Sequence, residues 1–114
     1  MNTDAEFEDN GEELDAKPAV YEVFNPDQTI GVACDREGAV VGLHIDDDIL
    51  ENGDEWLAQE IMRVATLARE KSRVGLRAEL ERSGSDPFVL SSFGLPTDAD
   101  YVAMENDAFG IRQN

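Results

Sequence analysis

The spacing of apolar residues changes once along the chain, near residue 52. Before that point the large apolar residues alternate with small or polar ones. Residues 19–24 are rich in β-branched and aromatic types, residues 29–35 set Ile30, Val32 and Cys34 against Thr29, Gly31 and Ala33, and residues 39–45 set Val41, Leu43 and Ile45 against Val40, Gly42 and His44. Period two in these residue types predicts three strands. Asn25-Pro26-Asp27-Gln28 and Arg36-Glu37-Gly38 are short turn sequences, so consecutive strands pair antiparallel as a meander.

Beyond residue 52 the period lengthens. Leu57, Ile61, Val64, Ala65 and Ala68 follow the i, i+4, i+7, i+8, i+11 spacing of one helical face, which predicts a long helix over residues 52–84. Asn52 with Glu55 fits a capping box, Asp54 and Glu55 complement the helix dipole, and Gly84 ahead of Asp86-Pro87 supplies the stop. Gly75 in the interior costs roughly 1 kcal/mol against alanine and marks a place for a kink or an early end. Three short strands with one apolar face need a cover, and this helix is the expected one.

The helix carries more apolar surface than a single packing face uses. Trp56, Leu67 and Val74 form a stripe beside the first, and Met62 and Leu80 lie on its other flank, with Glu60 and Lys71 interrupting the arc. An arc wider than roughly 100° serves two contacts. Either the end of the chain folds back over the excess or a partner covers it, and these five residues are the candidate partner-binding set. Of the remaining segments, the acidic link 46–51 is expected to tuck Ile49-Leu50 beneath the helix. Asp86-Pro87 starts a short helical piece through Phe88, Val89, Leu90 and Phe93 that ends at Gly94. Thr97 and Asp100 then begin an amphipathic helix with Tyr101, Met104 and Ala108 on one side.

The expected architecture is α+β: a three-stranded antiparallel meander covered by one long helix, with short helical segments after it. Residues 1–18 read as a disordered acidic tail, 19–85 as the β-β-β-α core, and 86–114 as a helical extension that packs on the core or on a partner. A length of 114 residues fits one domain. No leader pattern follows Met1 and no apolar run approaches a membrane span, so the expected location is the cytoplasm, with export by a non-Sec route as the alternative.

Charge narrows the function classes. The net charge is −17, and six of the nine cations, Arg63, Arg69, Lys71, Arg73, Arg77 and Arg82, lie on the long helix among six acidic residues. Phosphate-backbone binding needs clustered, unneutralised cations, so nucleic acid is not the expected partner. Asp46, Asp47 and Asp48 fail the calcium-loop spacing, since the sixth and twelfth positions from Asp46 are Glu51 and Leu57. His44 stands alone, no nucleophile-elbow or phosphate-cradling glycine loop occurs, and the single Cys34 sits in a core-strand pattern. No cofactor, metal or catalytic residue is expected.

Several stretches resemble a known family. They are Tyr21-Glu-Val-Phe-Asn-Pro26 after the acidic tail, a strand pair around Gly38, Leu57-Ala-Gln-Glu-Ile61, Val64-Ala-Thr-Leu-Ala-Arg-Glu-Lys71, Phe93-Gly-Leu-Pro-Thr97, and a short acidic helix with Ala108-Phe109. From about residue 20 to residue 109 this resembles the mycobacterial EspD/EspH family of ESX (type VII) secretion-associated proteins. The β-β-β-α order is similar in pattern to the YbaB/EbfC nucleoid-associated fold. Tyr101-Val-Ala-Met-Glu105 also fits the Y-x-x-x-[D/E] pattern of type VII substrates. The resemblance implies a non-enzymatic adaptor or chaperone that keeps a secretion substrate or component soluble, and it implies a homodimer. The alternatives are a YbaB-like DNA-binding dimer using Arg69, Lys71, Arg73 and Arg77, and an exported effector.

Overall fold

The computed structural model describes residues 19–110; the acidic segment 1–18, expected to be a disordered tail, and residues 111–114 lie outside the described residues. Three strands, β1 (Val20–Phe24), β2 (Ile30–Asp35) and β3 (Val40–Ile45), form an antiparallel sheet in the order β1-β2-β3. A short 3₁₀ helix (Asp47–Asn52) leads into the long helix α1 (Asp54–Arg82), followed by α2 (Pro87–Ser92) and α3 (Asp98–Phe109). The α+β class, the meander and the single long helix are those the periodicity predicts.

The core lies between the sheet and the middle of α1. Ile30, Val32 and Cys34 on the central strand are fully buried and pack with Val23, Ile49, Val64, Leu67 and Ala68. Leu57, Ile61, Ala65 and Ile45 pack against the edge of this cluster. The helix lies across β1 and β2. It does not seal β3, where Val40, Val41 and Leu43 are each more than half exposed. The expected apolar face therefore stops short: of Val41, Leu43 and Ile45, only Ile45 reaches the core. Leu50 likewise faces solvent while Ile49 tucks in. A bulge adds to the irregularity of β3, because the pairing passes from Ala33↔Gly42 to Cys34↔Val40 and leaves Val40 and Val41 together opposite Cys34.

Polar side chains pin α1 at both ends of β1. Asn25 accepts from the backbone N–H groups of Thr29 (2.8 Å) and Ile30 (3.1 Å) and donates to Glu60 at 3.1 Å, and Arg63 donates to the same carboxylate at 2.9 Å. Glu60, which reads as an interruption of the apolar stripe, is thus a buried and satisfied anchor. At the other end Tyr21 lies directly over Gly75, in space that an alanine methyl would occupy. The helix passes Gly75 without ending, and the glycine serves a close approach rather than a kink.

The helix ends follow local rules with one correction. Asn52 does not cap α1, since it closes the 3₁₀ helix and Gly53, at φ 99°, turns the chain between the two and offers no side-chain cap. Ser85 N–H donates to Leu80 C=O (2.9 Å) and Gly84 N–H to Glu81 C=O (3.0 Å), the paired bonds of a Schellman stop. The same pair recurs after α2, from Leu95 N–H to Leu90 C=O and Gly94 N–H to Ser91 C=O. Asp86 caps α2 through Phe88 N–H, and Thr97 and Asp100 form a reciprocal capping box on α3. The α3 helix folds back along α1, with Tyr101, Ala108 and Phe109 packed on the core cluster. Met104, expected on that same side, is instead exposed.

Gly75→Ala raises helix propensity yet intrudes on Tyr21, and we expect it to destabilise the protein by about 1–3 kcal/mol as overpacking does. In a Tyr21→Ala background the same change stabilises by up to about 1 kcal/mol. Urea unfolding of the four proteins checks the reversal of sign. The backbone hydrogen bond from Thr97, and then its side chain, hold the Asp100 carboxyl below its ordinary value. A lowered folded pKa contributes stability that is complete above the unfolded value, about pH 4, and is lost as pH falls through the folded one. Hydrogen-exchange protection factors in α3, which are corrected for the intrinsic rate at each pH, should fall on acidification below that point in the wild type and show no such step in Asp100→Asn.

Candidate partner interface

The segment from Asp86 to Gly94 is a short helix presented on the flank of α1. With only six residues, α2 has room to bury one large apolar side chain, and Leu90 takes it. Phe88 and Phe93 are left 80% and 74% exposed, with Val89 beside them. Val89 and Phe93, four residues apart, share a face. A groove of about 320 Å³ between α2 and α3, lined by Ser91, Leu95, Pro96, Ala103 and Met104, continues the surface.

One buried side chain holds this turn in place. Arg77 is 6% exposed, and its guanidinium donates to Glu81 (2.9 Å), the Ser91 hydroxyl (3.0 Å), and the carbonyls of Leu95 (2.7 Å) and Pro87 (3.2 Å). A planar fork with several fixed donors suits this role in a way that a lysine point charge does not. Arg73 adds a bond to the Gly94 carbonyl at 2.9 Å. Two phenylalanines that would otherwise ride on a loose loop are therefore held on an ordered one.

The five residues expected to bind a partner separate. Leu67 belongs to the core at 3% exposure, because the face it shares with Val64 and Ala68 is the one pressed on β1 and β2, so it is not available at the surface. Val74 and Leu80 are half-buried. Trp56, near the start of α1, is 37% exposed and Met62 is 65% exposed. The structure does not gather them into one patch. Much of the surplus apolar arc is consumed by the chain itself, through the core and the returning α3. The exposed aromatics of α2 are what the residue pattern did not single out, although a six-residue helix with Phe88, Val89, Leu90 and Phe93 carries the signal in its length.

The cations considered for DNA binding are mostly occupied. Arg77 is buried, Lys71 donates to the Glu22 carbonyl at 3.0 Å, and Arg73 pairs with Glu70 at 3.5 Å. Arg69 lies on the wall of a groove with Arg36, Gly38 and Ser72, where Arg36 pairs with Glu79 at 3.3 Å. His44 contacts Asp46 at 2.8 Å and the tilted Phe24 ring, and no hydroxyl or thiol is bonded to it among the described residues. Burial pushes the Cys34 thiol above its ordinary value, with Asp35 adding to the shift and Arg69 opposing it, as expected for an inert core thiol. Burial and the Glu105 charge also raise the Tyr101 hydroxyl, which donates to Glu105 at 3.4 Å, so both ends of the Y-x-x-x-E pattern lie on one face of α3. Among the described residues no group of His, Cys, Asp or Glu is placed to hold a metal, and no helix is long and apolar enough to cross a membrane.

Comparison with protein-family models, curated proteins and solved structures finds no match to this chain.

Replacing Arg77 by Met strips four acceptors of their donor in a mostly buried site, and we expect a loss of about 3 kcal/mol in unfolding free energy. Limited proteolysis should cut first between α1 and α3. Arg77→Lys should recover less than half of the loss, because an ammonium cannot reproduce the fork.

Proposed function

We propose that the chain is a non-enzymatic adaptor that binds a partner protein through the aromatic turn at α2 and keeps that partner soluble. The observation that carries this reading is the exposure of Phe88 and Phe93 on a turn clamped by Arg77. Phenylalanine is among the residue types enriched at protein interfaces, and holding the turn that carries it in place in the free protein lowers the ordering cost of binding. A flexible, solvated loop would not require a buried arginine. The strongly acidic composition supports the second half of the reading, since high net charge keeps a protein with exposed aromatics dispersed.

The resemblance of the chain to ESX-associated proteins gives the partner its class, a type VII secretion substrate or component held in the cytosol before export. Trp56 and Met62, exposed near the start of α1, lie apart from the α2 turn and are not assigned to this surface. Phe88→Ser combined with Phe93→Ser should abolish capture of the partner in a quantitative pull-down from the native host while circular dichroism stays unchanged, because neither ring supports the core. Retention of every associated protein by the double variant, or capture of none of the ESX proteins by the wild type, overturns the proposal.

A further inference from the structure

We propose that β3 pairs with β3 of a second copy of this chain, antiparallel about Leu43, joining two three-stranded sheets into one of six strands. The proposal uses a surface separate from α2 and stands independently of the partner assigned there.

The first observation is that β3 is a lightly protected edge among the described residues. Edge strands are ordinarily blunted by lysine, proline, inward charge, a bulge or a covering element. The sequence of β3, VVGLHI, has no lysine, proline or acidic residue in a chain of which 31% is charged, and its bulge at Val40 and Val41 leaves Gly42 to Ile45 in regular register with β2. Val40, Val41 and Leu43 are 58%, 56% and 56% exposed. The opposite edge is treated differently: β1 carries Glu22, and Lys71 covers the Glu22 carbonyl.

The second observation fixes the parity of the free hydrogen-bonding groups. Asp46 N–H donates to Thr29 C=O at 2.8 Å, which makes Asp46 and Thr29 a hydrogen-bonded pair. Antiparallel alternation then points the N–H and C=O groups of Leu43 and Ile45 away from β2, toward open solvent. These are also residues of the helix-side row, so a strand arriving there gains backbone bonds and apolar contact together.

The third observation selects the occupant. Antiparallel self-pairing centred on Leu43 sets Leu43 against Leu43 of the second copy, Val41 against its Ile45, and Gly42 against its His44. One face then holds a continuous aliphatic row, and on the other the bulkiest side chain meets the smallest. Asp46 falls opposite Val40 of the second copy, so no carboxylate directly faces another. Repulsion between two copies of net charge −17 acts through solvent, where it is screened beyond about 8 Å at physiological salt. Association should accordingly tighten as salt rises, the opposite of a charge-driven contact.

Sedimentation equilibrium of the full chain tests the pairing. We expect a reversible dimer, strengthened by salt, that persists in the Phe88→Ser/Phe93→Ser variant. Leu43→Lys sets two ammonium groups on the symmetry axis and should weaken association by roughly tenfold or more. A second measurement does not rely on that variant folding. Cys34→Ala/Leu43→Cys should cross-link to a covalent dimer on mild oxidation, because hydrogen-bonded antiparallel pairs lie about 5.5 Å apart at Cα, within disulfide reach. Cys34→Ala/Met62→Cys should not. A wild type that stays monomeric at millimolar concentration, a dimer that survives Leu43→Lys intact, or equal cross-linking at positions 43 and 62 overturns the proposal. A monomer whose β3 is instead engaged by a different protein also overturns it.

Discussion

An α-helix with its side chains is about 10–12 Å across, whereas neighbouring strands lie about 4.8 Å apart, so one helix laid along a three-stranded sheet seals two strands and leaves the third beyond its rim. Here α1 takes β1 and β2, and β2 alone is buried along its length. The exposure of β3 is the geometric remainder of that match. It does not reflect a weak strand, since β3 stays paired with β2 on both sides of the bulge, where the register shifts by one residue at Val40 and Val41. Every large apolar residue of β3 except Ile45 inherits the shortfall.

Length creates a second mismatch. A helix of 29 residues is about 44 Å long, while a strand of five or six residues covers less than half of that. The contacts Asn25 to Glu60 and Tyr21 to Gly75 mark where β1 begins and ends beneath the helix. What overhangs past Gly75 needs support of its own, and Arg77 with α2 and α3 provides it. Arginine suits the site because the carbonyls of Leu95 and Pro87, the Ser91 hydroxyl and the Glu81 carboxylate converge there. The cations on the helix are thereby largely spent inside the chain: Arg77, Arg73 and Lys71 each reach a backbone carbonyl, and Arg63 meets the buried Glu60. Among the described residues every acidic side chain except Glu60 reaches the surface, which leaves that surface far more negative than the interior.

Much of this was legible in the residues. The three strands and the long helix begin and end within two residues of the positions that periodicity and turn chemistry mark, and the Asp86-Pro87 start, the Gly84 and Gly94 stops and the Thr97 to Asp100 cap all follow local rules. Leu67, Val74 and Leu80 show where such reading stops. Helical spacing tells which residues share a face, but whether that face meets a sheet, a returning helix or solvent depends on widths and lengths that only the assembled elements define. Asn52 failed as a cap for a similar reason, because the preceding 3₁₀ helix had already claimed it. Glu60 and Arg77 were readable only as charges on a helix, since the acceptors and donors that bury them come from residues far away in sequence. Phe88 and Phe93 belong to a different case. Their exposure follows from the shortness of α2, which its proline and glycine boundaries already imply.

Two kinds of exposed apolar surface result, and they do not ask for the same partner. An aromatic knob such as Phe88 with Phe93 is satisfied by a concave pocket and imposes little on the backbone of what it meets. A bare strand edge demands another extended strand, in register, with donors and acceptors at matching intervals. An edge of that kind is an aggregation hazard if pairing can continue without limit. The proposed two-fold pairing would limit it. Such a pairing consumes both copies of β3 at once, and among the described residues the other edge, β1, carries Glu22, with Lys71 seated on its carbonyl. A single doubling of the sheet would make an uncharged edge tolerable in a chain of net charge −17.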